Sequence, residues 1–301
     1  MKTNLGAEAP EWAATSNWGR WGPADERGAL NHITPSLMIE ALKSPTKGRT
    51  YSLGMEISNS SPSSPIRCKP WHSNSTSRDT SGAVRRGMSD DTLLLQYHGS
   101  TTHIDALSHM WYGHHLYNGF EDTGFSPNGG ATRCAIEKAG PIVGRGVLLD
   151  LAGYKDVDML PISYAVTPED IEGCCRKQGI AVRSGDIVLM RTGWLTRIRK
   201  DPPSQWIGEA GPGLAALEWL FQHQVSVVGA DNVAVECTPP EDKRLTLPFH
   251  IRWLRDVGGY IIEFMELDEL AKDRVYEFLF VALPLRIAGG VGSPINPVAI
   301  V

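Results

Sequence analysis

Val147-Leu-Leu-Asp-Leu151, Thr167-Pro-Glu-Asp170 and Ile187-Val-Leu-Met190, taken in that order, decide the fold class. The first and last are short aliphatic runs with the length and β-branched content of buried strands rather than helices. Between them, a threonine hydroxyl precedes a proline, and two acids follow. Thr167 can cap the first turn, Pro168 fits the first helical position, and Glu169 and Asp170 meet the positive end of the helix dipole. A strand, a helix and a second strand in succession predict an α/β domain whose sheet is at least partly parallel.

The same grammar extends outward in both directions. Val225–Val228, Tyr260–Phe264 and Phe278–Leu283 are further strand candidates. Thr34-Pro35 opens a helix through Leu42, another follows Pro212 towards His223, and a third runs from Pro248 through Trp253 and Leu254 to Gly258. Residues 58–91 break the pattern: Ser, Pro, Thr and Arg dominate, periodicity vanishes, and a long loop or lid is expected. Asp201-Pro-Pro-Ser-Gln205 also reads as loop. With no internal repeat and no clean linker, residues 1–301 read as one domain, of which 1–48 form an amino-terminal extension and helix.

The 301 residues carry a formal net charge of −5, which argues against a dedicated nucleic-acid binder needing a surplus of Lys and Arg. The densest basic stretch, Arg191 to Lys200, reads as a solvated surface segment. No window approaches the roughly 18 apolar residues of a membrane span, and residues 1–30 lack the basic and apolar regions of a secretory signal. Five cysteines, an odd count with one adjacent pair, do not form a disulfide framework. The expectation is a cytoplasmic protein that acts on a small molecule, not on nucleic acid or membrane.

Chemistry concentrates in His98-Gly-Ser-Thr-Thr-His103-Ile-Asp105-Ala-Leu-Ser-His109, followed by His114 and His115: five of the nine histidines. If His103 to His109 is extended, alternation puts His103, Asp105, Leu107 and His109 on one face. Imidazole and carboxylate on one strand form a chelating edge for a divalent metal. One strand cannot close a coordination sphere, so distant residues must contribute. His250 and Glu263 are the candidates, because a carboxylate inside the apolar run Tyr260–Phe264 is costly unless paired or bound to a cation. A surface His250 and a Glu263 paired with Arg252 or Arg286 are the bland alternatives.

The segment His98 to His109 resembles the H-x-G-T-H-x-D-x-P-x-H signature of the cyclase-like metal hydrolases, which include bacterial kynurenine formamidase and isatin hydrolase. Trp21-Gly-Pro-Ala-Asp-Glu-Arg-Gly-Ala-Leu-Asn31, Arg145-Gly-Val-Leu-Leu-Asp150, Gly185-Asp-Ile-Val-Leu-Met-Arg-Thr-Gly-Trp194, Gly229-Ala-Asp-Asn232 and the stretch from Glu263 to Leu270 resemble further family landmarks. Here four residues, not three, separate His98 from His103, the His250–Glu263 interval is one residue longer, and Leu107 replaces proline. The resemblance implies a mixed, barrel-like β-sheet packed by helices, the swivelling β/β/α fold of the family, in a homodimer or homotetramer. It implies one or two divalent ions, Zn or Mn, held by His98, His103, Asp105, His250 and Glu263, with His109 as general acid/base. The implied reaction is hydrolysis of an amide or lactone: an aryl-formamide, a cyclic amide or imide, or a lactone. Trp18, Trp21 and Trp111 are candidate walls of the substrate pocket, and Arg20 or Arg27 a candidate partner for a substrate carboxylate.

The main alternative is a mononuclear Fe(II) oxygenase, since His103, Asp105 and His250 also spell a two-histidine, one-carboxylate facial triad. That reading leaves His109 and Glu263 without roles. A nucleotide-binding oxidoreductase would need a strand before Gly211-Pro-Gly213, where the sequence reads as loop.

Overall fold

The computed structural model describes residues 15–82, 84–200 and 208–301. Residues 1–14 of the expected extension and the expected loop 201–205 lie outside the described residues. The strands that matter here are β1 (Thr50–Ser52), β2 (Trp71–Asp79), β3 (Arg86–Leu94), β4 (His103–Asp105), β5 (Ile142–Asp150), β6 (Ile187–Arg191), β7 (Val227–Ala230), β8 (Tyr260–Glu263), β9 (Glu277–Ala282), β10 (Gly292–Pro294) and β11 (Val298–Ile300). Among the described residues, nine of them form one sheet in the order β1-β11-β9-β5-β6-β7-β8-β4-β10.

The centre of this sheet, β5-β6-β7-β8, is parallel, and both flanks are antiparallel. The sheet is therefore mixed, and it curls into a half-barrel packed by helices, as expected. Parallel neighbours need crossovers, and helices supply them: α1 (Pro168–Gln178) joins β5 to β6, and α2 (Leu214–Gln222) joins β6 to β7. Thr167 caps α1 in a full capping box with Asp170, and Gly179 ends it in the left-handed conformation at φ 72°. Val147, Leu148, Leu149, Ile187, Val188, Leu189, Val227 and Val228 are fully buried, which fits strands covered on both faces.

One expectation needs correction. Residues 58–91 are not loop throughout: β2 and β3 pair with each other over nine residues as an exposed hairpin. Alternating Ser, Thr and Asn on a ribbon with no buried face give no hydrophobic periodicity to read. The basic stretch Arg191 to Lys200 keeps Arg197, Arg199 and Lys200 exposed, as expected, on a helix, Trp194–Lys200, that buries Trp194, Leu195 and Ile198. Arg191 itself is held between Asp150, at 2.8 Å, and Asp268, at 2.5 Å. No helix of the described residues is long and apolar enough to cross a membrane.

Candidate metal centre

β4 lies between β8 and β10, antiparallel to both, and its register brings the distal residues to the near ones. Glu263 stands directly opposite His103, and Gly292 opposite Asp105. Residues opposite each other project to the same face, as do residues two apart on one strand. His103, Asp105 and Glu263 therefore share a face by construction. On the other side of Asp105 the glycine is needed: a Cβ at Gly292 would come within 2.7 Å of both His98 Nε2 and the Ile104 carbonyl oxygen.

His98 arrives from the turn before β4, where Gly99 takes a left-handed φ of 69°. That turn brings His98 within 3.2 Å of Asp105 across the four residues that separate it from His103. His250 arrives on a short helix, Pro248–Arg252, whose first amides are held by Glu236: Phe249 N–H donates to Oε2 at 3.1 Å and His250 N–H to Oε1 at 2.8 Å. The same Oε1 lies 3.1 Å from His250 Nδ1. The Thr101 carbonyl holds His103 Nδ1 at 2.7 Å. With each Nδ1 engaged by an acceptor, each Nε2 is left to present a lone pair.

These atoms converge. Asp105 Oδ1 is 3.2 Å from His98 Nε2 and 3.4 Å from His103 Nε2, and its Oδ2 is 3.5 Å from His250 Nε2. Glu263 lies 3.1 Å from His103 Nε2 through Oε2 and 3.0 Å from His250 Nε2 through Oε1. Two overlapping groups result, His98–His103–Asp105 and Asp105–His250–Glu263, with the ligand atoms of each within 4.8 Å of one another and Asp105 common to both. Yet His98 Nε2, His103 Nε2 and both Asp105 oxygens are buried without a hydrogen-bond partner of proper geometry. Buried polar groups are ordinarily paired, so this donor set fits a cation towards which the lone pairs point. Position disfavours the bland alternatives: His250 is buried, both Glu263 oxygens face histidines, Arg252 pairs with Glu218, and Arg286 is exposed.

The electrostatics show the same pressure. Burial opposes charge on His103, but Glu263 and Asp105 outweigh it and raise the imidazole to about 10. His250 is likewise raised well above 6.5 against burial, by Asp105, Glu236 and Glu263. Burial would raise Asp105 and Glu263, but the surrounding histidines lower both. Without a cation, protons hold the cluster together.

His103 to His109 is not one extended stretch, which corrects the alternation argument. β4 ends at Asp105, Leu107 turns into the core, and His109 N–H donates to the Ala106 carbonyl at 2.9 Å. His109 reaches the site by that turn and stacks flat on His98, with ring centroids 4.0 Å apart and planes 5° apart. Burial pushes its pKa down to about 4. His114 is exposed at a loop, as expected.

The cluster floors a cleft of about 630 Å³ lined in part by Arg67, His98, His109, Glu209, His250 and Glu263. None of Trp18, Arg20, Trp21 and Trp111 is among the described residues that line it. Trp18 donates to the Arg255 carbonyl at 2.6 Å, Arg20 bonds Asn17, Trp21 packs edge-on against His32, and Trp111 stacks on Phe125 and donates to Asp122. These side chains pin segments of chain together. Arg67, Glu209 and Glu236 were not foreseen. Glu236 and Glu209 are buried acids, and the cost argument applied to Glu263 would have flagged Glu236, flanked by Val235 and Cys237. Glu209 Oε2 accepts from Val233 and Ala234 N–H at 2.9 and 2.8 Å, and burial, aided by Glu263, pushes its pKa up to about 8.

An open cleft over converging imidazoles and carboxylates, set on the antiparallel flank of a curled mixed sheet, defines an α/β protein with a candidate metal centre. The chain belongs to the Cyclase family, whose model, described as "Putative cyclase", matches residues 51–237. A crystal structure of a novel cyclase is 36% identical to it, over 95% of this chain and 100% of that one, with a TM-score of 0.87. Isatin hydrolase A from Ralstonia solanacearum is 22% identical over 88% of this chain and 95% of its own, with a TM-score of 0.58. An isatin hydrolase bound to the product analogue thioisatinate is 20% identical over 88% and 96%, with a TM-score of 0.63. At such identities the last two likenesses speak to the fold alone. No curated protein matches the sequence.

Proposed function

We propose that this protein is a metal-dependent hydrolase that cleaves an amide or lactone bond of a small molecule: an aryl-formamide, a cyclic amide or imide, or a lactone. The observation that carries the reading is the set of buried, partnerless lone pairs on His98, His103 and Asp105 beside His250 and Glu263. These five residues would hold one or two divalent ions, Zn or Mn, with Asp105 placed to serve both. Such an ion supplies a bound water whose pKa falls from 15.7 towards about 7, and polarisation of the scissile carbonyl.

The protein's own residues supply orientation and proton transfer. Glu236 and the Thr101 carbonyl fix the rings of His250 and His103. His109 lines the cleft against His98, and its ring has no hydrogen-bond partner among the described residues. A free imidazole nitrogen there can take a proton from the attacking water and return it to the departing nitrogen or oxygen, which general acid–base catalysis makes worth about 10²–10⁴ in rate. The oxygenase alternative leaves idle a Glu263 that stands 3.0 Å from His250 and 3.1 Å from His103.

The test is a hydrolysis panel of formanilide, isatin, phthalimide and dihydrocoumarin with protein loaded with Zn or Mn. Turnover of at least one member, abolished by a chelator and restored by metal, is expected. A metallated protein inert to all four, or turnover indifferent to the chelator, would refute the reading.

A further inference from the structure

We propose that Arg67 is a carboxylate anchor and that the substrate of this cleft is therefore an anion, an amide or lactone bearing a carboxylate beside its scissile bond. The inference rests on the hydrolytic reading and adds the charge of the substrate to it.

Five described arginines are buried or half-buried: Arg67, Arg145 and Arg191 are half-buried, and Arg252 and Arg255 are buried. Four have acidic partners, respectively Asp186 and Glu277 for Arg145, Asp150 and Asp268 for Arg191, Glu218 for Arg252, and Asp256 for Arg255. Arg67 is the fifth, and among the described residues no acid pairs with it. A guanidinium stays charged at any pH a protein tolerates, and partial desolvation without a counter-charge is unfavourable. The position is nonetheless built. Ser64 N–H donates to the Gly99 carbonyl at 2.7 Å, and Arg67 N–H to the Ser64 carbonyl at 2.9 Å. A Cβ at Gly99 would lie 3.3 Å from Arg67 Cγ, so the arginine stem rests on the residue next to His98.

The acids that share the cleft do not serve it. Glu209 Oε2 is held by two backbone amides, and both Glu263 oxygens face histidines. Among the described residues, the cleft thus offers one arginine without an acidic partner beside the candidate centre. A planar fork of donors matches a carboxylate in two-point geometry. Arg20 and Arg27, which the sequence suggested for this task, are exposed residues outside the cleft lining.

The experiment compares 2-formamidobenzoate with formanilide, which share the same formamide and differ by the carboxylate. Metal-loaded wild type, Arg67→Met and Arg67→Lys are assayed for hydrolysis, and calorimetry measures 2-aminobenzoate against aniline on the same three proteins. In wild type the anionic member is preferred. In Arg67→Met the anionic-to-neutral ratio of kcat/KM, and the matching ratio of affinities, falls by about 10- to 100-fold, mainly through KM. Arg67→Lys recovers part of it. Ratios equal in wild type and Arg67→Met, or a wild type that treats each pair alike, would overturn the assignment. If neither formamide nor any other member of the hydrolysis panel is turned over while the binding ratio still depends on Arg67, the hydrolytic reading falls and the carboxylate anchor stands.

Discussion

Replacing Glu236 with glutamine exchanges one carboxylate oxygen for an amide nitrogen beneath His250. In the native arrangement Oε1 accepts from His250 N–H at 2.8 Å and faces Nδ1 at 3.1 Å, while Oε2 accepts from Phe249 N–H at 3.1 Å. Glutamine has a single acceptor oxygen. If that oxygen stays on His250, the new amide meets Phe249 N–H, and one buried donor loses its partner at a cost of about 1–3 kcal/mol. If the side chain turns over, the amide meets Nδ1–H, and the ring is no longer held with Nε2 towards Asp105 and Glu263, at 3.5 and 3.0 Å. Loss of such a support typically costs 10- to 100-fold in metal affinity. Competition with a chromophoric chelator would measure that loss, and ¹⁵N chemical shifts of His250 would show whether its tautomer changes. A variant that binds Zn within twofold of wild type, with the same His250 spectrum, would show that Glu236 only starts a helix.

His109→Ala should keep its metal and lose about 10²–10⁴ of turnover, read as kcat on whichever panel substrate is active; metal loss in parallel would make His109 a ligand instead. Gly292→Ala sets a methyl 2.7 Å from His98 Nε2 and from a backbone oxygen that cannot step aside. Roughly 1–3 kcal/mol of stability should go, and His98 should leave the cluster, visible as weaker chelator competition; unchanged affinity would mean that His98 is not a ligand. Glu209 holds its proton to about 8 when folded but only to 4.5 when unfolded. The native state therefore binds more protons across that window, and the metal-free protein should lose stability as pH rises from 4.5 to 8, by a ceiling of about 5 kcal/mol from this group. Urea midpoints at pH 5 and 8 should converge in Glu209→Gln; parallel curves for wild type and variant would contradict the assignment.

Much of the fold could be read from local grammar because its central strands are buried on both faces and its first crossover helix starts with a capping hydroxyl and a proline. Ile187–Met190 and Thr167–Pro168 carry that information within a few residues. The hairpin at 71–94 could not be read, since a ribbon without a buried face has no reason to alternate apolar and polar residues. At the site, His103 and Asp105 were legible from their spacing on one strand. Glu263 joins the candidate site through register, because nothing in sequence says that it pairs opposite His103. Leu107 and His109 were misplaced by assuming that a strand continued where a turn begins. The tryptophans misled for a different reason: a large side chain near a motif says nothing about which side of a wall it occupies. Arg67 sits in a Ser- and Pro-rich stretch with no periodic signal, and only the lack of an acidic partner among the described residues marks it.

Metal stoichiometry is the most direct measurement of all. Wild type and Asp105→Ala would be stripped with a chelator, dialysed against Zn or Mn, freed of unbound ion and analysed for metal per chain. Because Asp105 belongs to both halves of the cluster, wild type should retain one or two ions and the variant none. A wild type that returns to dialysis empty, or an alanine variant that keeps a full complement, would contradict the claim that these imidazoles and carboxylates meet around a cation.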